Sequence, residues 1–224
     1  MTSIPLRGLV SAARDWLLDL ASPRICVGCR GLAAPRASLC HSCRERCMED
    51  KSRPSLPEGV GLLLTGPRHS GAVRQLVHGL KYEGHRAAAR DLAALVTARG
   101  ALPPDPRQIL VPVPLTSARR RERGYNQAEC LARELGAATG IPVEPGFLRR
   151  VRFQGSQTKR SGGQRREALA GMFEKGPGFR VDRVPVLVDD VLTTGATLSA
   201  CAAICLHGGV PEVRAVCAAW ADGD

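Results

Sequence analysis

The sequence predicts an α/β fold, a central parallel sheet flanked by helices, with a small four-cysteine zinc ribbon at its N-terminal end. Three observations predict it. Short β-branched runs alternate with helical segments from Val60 onward. Two C-x-x-C pairs stand close together near the start of the chain. An apolar run closes on two acids and a threonine-glycine turn that opens a helix, an arrangement at home on the carboxyl edge of a parallel sheet.

Residues 1–55 read as the first unit: an N-terminal helix, the ribbon and a linker. Up to Leu20 the chain mixes Arg7, Arg14, Asp15 and Asp19 into its apolar residues, so it lacks the uncharged core of a secretory signal. Cys26-Val-Gly-Cys29 and Cys40-His-Ser-Cys43 follow. Two residues between cysteines let a tight turn aim both thiolates at one ion, and two such turns complete a tetrahedral set of four sulfurs. With no open position left, that site is structural. His41 and Cys47 are alternative ligands, though His41 lies inside the second pair, where the turn aims it elsewhere. Disulfides fit less well, because doubled pairs at this spacing are a zinc pattern. The other four cysteines (Cys130, Cys201, Cys205 and Cys217) sit in apolar context and read as small buried hydrophobes. The polar stretch 49–55 is the linker.

Residues 56–224 form the second unit. Strands are expected at 60–64, 109–113, 184–188 and 213–218, and helices at 87–98, 126–138 and 197–206. The second helix places Ala128, Leu131, Ala132 and Leu135 on one face. The third stops at His207-Gly208-Gly209. Strands separated by helices imply a parallel sheet. The stretch 149–166 is basic and rich in Gly, Ser and Gln, and reads as a long mobile loop.

Composition narrows the function classes. The chain has 224 residues, 44% hydrophobic and 24% charged, enough to build a core. No apolar run reaches the roughly 20 residues that span a bilayer, so a soluble cytoplasmic protein is expected. Net charge is +11, and the segment 107–183 holds 16 basic against 7 acidic residues. Such a field attracts polyanions, nucleic acid or a small polyphosphate alike. With only eight aromatic residues, a stacking platform for single strands has little support.

The most informative stretch is Val184-Pro-Val-Leu-Val-Asp189-Asp190-Val-Leu-Thr193-Thr194-Gly195-Ala196-Thr197. Backbone N–H groups in the turn, backed by the positive end of the following helix, form a cradle for a phosphate. The threonine hydroxyls add donors, and Gly195 lets the backbone come close. The natural partners of Asp189 and Asp190 are the vicinal hydroxyls of a sugar and a divalent cation. A ribose 5-phosphate suits both halves.

Residues 186–198 resemble the phosphoribosyl pyrophosphate (PRPP) signature of type I phosphoribosyltransferases. Three further motifs precede it: Leu80-Lys81-Tyr82-Glu83-Gly84, Val111-Pro112-Val113-Pro114-Leu115, and Arg121-Glu122-Arg123-Gly124-Tyr125-Asn126-Gln127-Ala128. Together with the ribbon, this series is similar to the ComF family of competence-related, phosphoribosyltransferase-like proteins, over essentially the whole chain from Cys26. The resemblance implies a type I phosphoribosyltransferase fold, PRPP with Mg²⁺ as donor, and transfer of the 5-phosphoribosyl group to a nitrogen acceptor. It implies that Asp189 and Asp190 hold the ribose hydroxyls, with Thr193, Thr194, Gly195, Ala196 and Thr197 on the 5-phosphate. Val113 and Pro114 then fall on the pyrophosphate turn, and Arg123 and Lys159 supply charge to the leaving group. ComF-like sequences commonly carry Q-T-x-L-x-x-x-x-R in the loop, where this chain has Gln157-Thr158 followed by Lys159-Arg160-Ser161-Gly162-Gly163. The family further implies a role in DNA uptake, with single-stranded DNA or competence helicase-type proteins as candidate partners and self-association left open. A non-catalytic, PRPP-responsive adaptor is the alternative.

Overall fold

The computed structural model describes residues 24–35, 37–151 and 171–222. The elements follow one another as α1 (His41–Cys47), β1 (Leu62–Thr65), α2 (Gly71–Tyr82), α3 (Ala88–Arg99), β2 (Gln108–Pro112), α4 (Ser117–Arg123) and α5 (Gln127–Thr139). They continue as β3 (Leu148–Arg150), β4 (Phe173–Lys175), β5 (Val184–Leu192), α6 (Ala196–His207) and β6 (Arg214–Trp220). Four strands pair in the order β1-β6-β5-β2, all parallel. The expected α/β architecture is therefore present. β3 and β4 form a separate antiparallel pair.

Alternation along β5 assigns its two faces. Val186 and Val188 pack with α2, α3 and α5 through Val73, Leu76, Leu92, Leu95, Leu131 and Leu135. Leu187 points the other way, into a second core with Val111, Phe147, Phe173, Leu198 and Cys201. That second core seats α6 and the β3–β4 pair on the opposite face of the sheet. The ribbon belongs to the first core, because Cys26, Leu39 and Cys43 are buried with the α2 and α3 side chains. The backbone N–H of Ser38 donates to the buried Asp91 of α3 at 2.6 Å.

The segment expected as a linker is tied down. Arg99 donates to the backbone carbonyls of Asp50 and Ser52, and Arg53 donates to that of Arg99. At the chain's far end, Arg68 pairs with Asp50 and Asp222 and lies 4.4 Å over the Trp220 ring.

Several boundaries differ from the sequence reading. β1 begins two residues later than 60–64 and ends at Thr65. β5 does not stop at Val188 but carries both acids inside the strand to Leu192, held by pairing with β6 through Asp189–Cys217 and Leu192–Trp220. Three helices were not expected. α1 carries the second cysteine pair into His41–Cys47. α2 buries Val73, Leu76, Val77 and Leu80, one face at helical spacing. α4 lies at Ser117–Arg123, where no element was expected. It buries nothing, and its ends define it: the Thr116 hydroxyl accepts from the Arg119 N–H at 3.2 Å, and Gly124 closes it at φ +72°. Arg149 and Arg150, assigned to the mobile loop, lie in β3. The expected N-terminal helix and the rest of that loop, with Lys159, fall outside the described residues.

Candidate functional site

The four cysteines come together first. The sulfurs of Cys26, Cys29, Cys40 and Cys43 all lie within 4.8 Å of one another, with Cys29 and Cys40 at 3.6 Å. Four sulfurs about 2.3 Å from a central Zn²⁺ stand roughly 3.8 Å apart, so the donor set fits the ion. His41 and Cys47 are not members; His41 pairs with Glu45 at 3.1 Å. Burial opposes ionisation of Cys26, but the N–H groups of Cys40, Cys29 and Gly28 outweigh it and hold the thiol down at about 6. Arg46 donates to the Cys43 sulfur at 2.9 Å and pulls its pKa down. Burial and the three neighbouring thiols win and push it up to about 12. Four clustered thiols that cannot all ionise are a site that a divalent cation completes. Gly28 brings the first knuckle onto the start of α2, where an added Cβ would stand 2.9 Å from that of Ala72.

The second assembly lies on the carboxyl edge of the sheet, where β5 leads into α6. Gly195 sits there at φ +74°, the left-handed region in which a side chain is strained. It caps α6 without a side chain, and among the described residues the one hydroxyl bonded to an N–H of the first turn is that of Thr194, which accepts from Ala196 at a long 3.4 Å. The positive end of the helix is thus largely unclaimed. Asp189, Thr193, Thr194, Gly195, Ala196 and Thr197 line a shallow cup of about 30 Å³. Two larger cavities, of about 560 and 590 Å³, lie against the ribbon and beside residues 100–106, and neither touches the acids.

Because side chains alternate along β5, the two acids face opposite sides of the sheet. Asp190 is buried on the α2 side, where its Oδ2 meets the Lys81 ammonium at 2.9 Å. Its Oδ1 accepts from the Val191 N–H at 2.8 Å. Asp189 faces the α6 side and accepts from the Asp190 N–H at 2.8 Å. Burial first, then the neighbouring Asp190 charge, push the Asp189 carboxyl up to about 8. At neutral pH Asp189 therefore keeps a proton that a cation brought to its carboxyl would displace.

The turn carrying Val113 and Pro114 joins the acids through backbone bonds. The Val113 N–H donates to the Val188 carbonyl at 2.9 Å, one residue before Asp189. Asn126, only 5% exposed, donates to the Val113 carbonyl at 3.0 Å while accepting from the Ala128 N–H at 3.0 Å. One amide thereby caps α5 and pins the turn. Tyr125 donates to the Leu80 carbonyl, which fixes the end of α2 beside it. Arg123 does not reach the acids. It donates to Gln127 Oε1 at 2.9 Å and lies 5.0 Å over the exposed Tyr82 ring.

Sequence reasoning named Lys81 within a motif but gave it no partner. The ion pair with Asp190 joins residues 109 positions apart, and only the packing of α2 against β5 creates it.

Comparison with known proteins finds relatives along most of the chain. The chain is 30% identical to the DNA utilization protein YhgH of Salmonella typhi over 214 residues, 89% of this chain and 92% of that protein. The chain belongs to the ComF family. It is also 36% identical to competence protein F of Haemophilus influenzae, over 48% of each chain. Competence protein ComFC of Bacillus subtilis matches at 31% over 47% of this chain and 41% of its own. No family model matches the chain. Among the described residues, no helix is long and apolar enough to cross a membrane.

Proposed function

We propose that this ComF-family chain binds PRPP with Mg²⁺ at the 189–197 site and transfers its 5-phosphoribosyl group to a nitrogen acceptor. The observation that supports this most is the cup itself: a helix start without a side-chain cap, with Asp189, its carboxyl raised to about 8, in the lining and Asp190 next in the strand. In this reading the N–H groups of Ala196 and Thr197, with the threonine hydroxyls, hold the 5-phosphate. Asp189 and Asp190 take the ribose hydroxyls, and Asp189 gives up its proton as they do so. Mg²⁺ is chelated mainly by the substrate diphosphate and keeps water ligands. The nitrogen lone pair attacks ribose C1, the C1–O bond to diphosphate breaks through an oxocarbenium-like state, and magnesium pyrophosphate departs. The nitrogen's proton goes to solvent, and a carboxylate steadies the passing positive charge.

The ribbon, residues 1–55 in this division, holds structural Zn²⁺ through its four cysteines. The names of the relatives, competence and DNA utilization proteins, support a role in handling DNA. They also favour a second reading, in which PRPP regulates a DNA- or protein-binding adaptor with no turnover.

Calorimetric titration with PRPP and Mg²⁺ tests the site. Replacing both acids, Asp189→Ala with Asp190→Ala, is expected to abolish binding; unchanged affinity rejects the proposal. PRPP consumption across purine, pyrimidine and ammonia acceptors then separates enzyme from adaptor.

A further inference from the structure

The reading above leaves the diphosphate end of the donor without a cation among the described residues. Most arginines near the site are already engaged. Arg120 lies 3.8 Å from Glu129, Arg149 pairs with Glu174 at 2.7 Å, and Arg123 is taken by Gln127.

Among the described residues Arg119, Arg121 and Arg150 have no carboxylate partner, and of the two exposed arginines of α4 it is Arg119 whose charge acts on Arg150. Arg119, in the first turn of α4, is exposed, and its side chain makes no ion pair or hydrogen bond. Arg150 is half-buried at the end of β3, beside Phe173 of β4, whose ring centroid is 5.1 Å from its guanidinium. Its Nε is buried without a partner, and its Nη2 finds only the Met172 thioether at 3.5 Å, a weak acceptor. A half-buried guanidinium with no carboxylate is costly. It is explained if an anion belongs there.

Position says which anion. The β3–β4 pair packs with α6 on the face of β5 toward which Asp189 points. Arg119 opens the helix that follows the Val113–Pro114 turn. The two arginines therefore come from two different elements, and Arg150 lies beside the face of the sheet toward which Asp189 points. Burial first, then the Arg119 charge, holds the Arg150 pKa below its ordinary value, while Asp189 acts in the opposite sense. Two like charges near enough to feel each other, neither neutralised, suit an anion with two charged ends.

We propose that Arg119 and Arg150 together grip the diphosphate of a donor seated at Asp189–Thr197. This rests on the phosphoribosyl reading, and the experiment separates the two. Wild-type protein, Arg150→Gln, Arg119→Gln and Arg149→Gln are titrated with PRPP, ribose 5-phosphate and inorganic pyrophosphate, each with Mg²⁺. Each of the first two variants is expected to weaken PRPP and pyrophosphate about ten- to hundred-fold, the loss of one charge-assisted contact. Ribose 5-phosphate is expected to change less than about twofold, and Arg149→Gln to leave all three alone. Arg150→Lys, which keeps the charge without the fork, is expected to recover part of the loss. Undiminished PRPP and pyrophosphate binding in both variants overturns the proposal, as does an equal loss of ribose 5-phosphate. If the wild type takes pyrophosphate but not PRPP and the variants lose it, the arginine pair stands and the phosphoribosyl reading falls.

Discussion

The four-cysteine cluster and the acid-bearing edge of the sheet solve the same problem, holding like charges together, by opposite routes. The cluster draws all its ligands from 18 consecutive positions, two tight turns aimed at one point. The edge draws Lys81, Val113, Asn126, Arg150 and 189–197 from five separate parts of the chain. The first is closed, with four donors for one ion. The second is left open, with a carboxyl raised to about 8, an uncapped helix and an unpaired guanidinium. A structural site is satisfied by what it encloses, and a binding site by what it lacks.

The largest expected effect breaks the closed region. Removing Zn²⁺ with a strong chelator, or replacing Cys43 with alanine, is expected to lower Tm by more than about 10 °C, since the cluster is part of the core shared with α2 and α3. An unchanged melt would leave the cluster without a metal's contribution.

Next comes the hinge of the open region. Asn126→Ala removes a helix cap and the bond to Val113 together, and should cost about 2 kcal/mol by denaturant unfolding. PRPP affinity should fall with it, whereas a pure capping role would leave affinity intact.

Asp189 sharpens the contrast through pH. Its folded carboxyl keeps a proton up to about 8, while an unfolded one releases it near 4. Its contribution to stability is full below the lower value and is lost as pH rises toward the upper. Ligand-free protein should therefore lose a few degrees of Tm across that window, and Asp189→Asn should flatten the slope. The smallest effect belongs to Gly28→Ala, whose methyl crowds both Ala72 and the Cys43 sulfur and should cost about 1 kcal/mol by denaturant unfolding.

The same contrast explains what could be read from the sequence. The cluster was legible whole, because turn geometry depends on neighbours in the chain. So were β2, α3, α5 and α6, each within a residue or two of its expected bounds. The turn between β5 and α6 was legible too, through Gly195 and the threonines. α2 was legible but overlooked: Val73, Leu76, Val77 and Leu80 stand at helical spacing despite Gly79. α4 has no apolar face to reveal it. The extension of β5 through two acids runs against strand propensity, and it is the pairing with β6 that carries the strand on. Lys81 and Arg150 left no signal, since what distinguishes them is a partner, or the want of one, far along the chain.

One element belongs to both regions. α2 is a rod of 12 residues, roughly 18 Å long. Ala72 beds its first turn on the Gly28 knuckle, and Lys81 extends from its last turn to Asp190. Both ends are spoken for, so the rod cannot slide or tilt without disturbing either the sulfur nest or the buried ion pair.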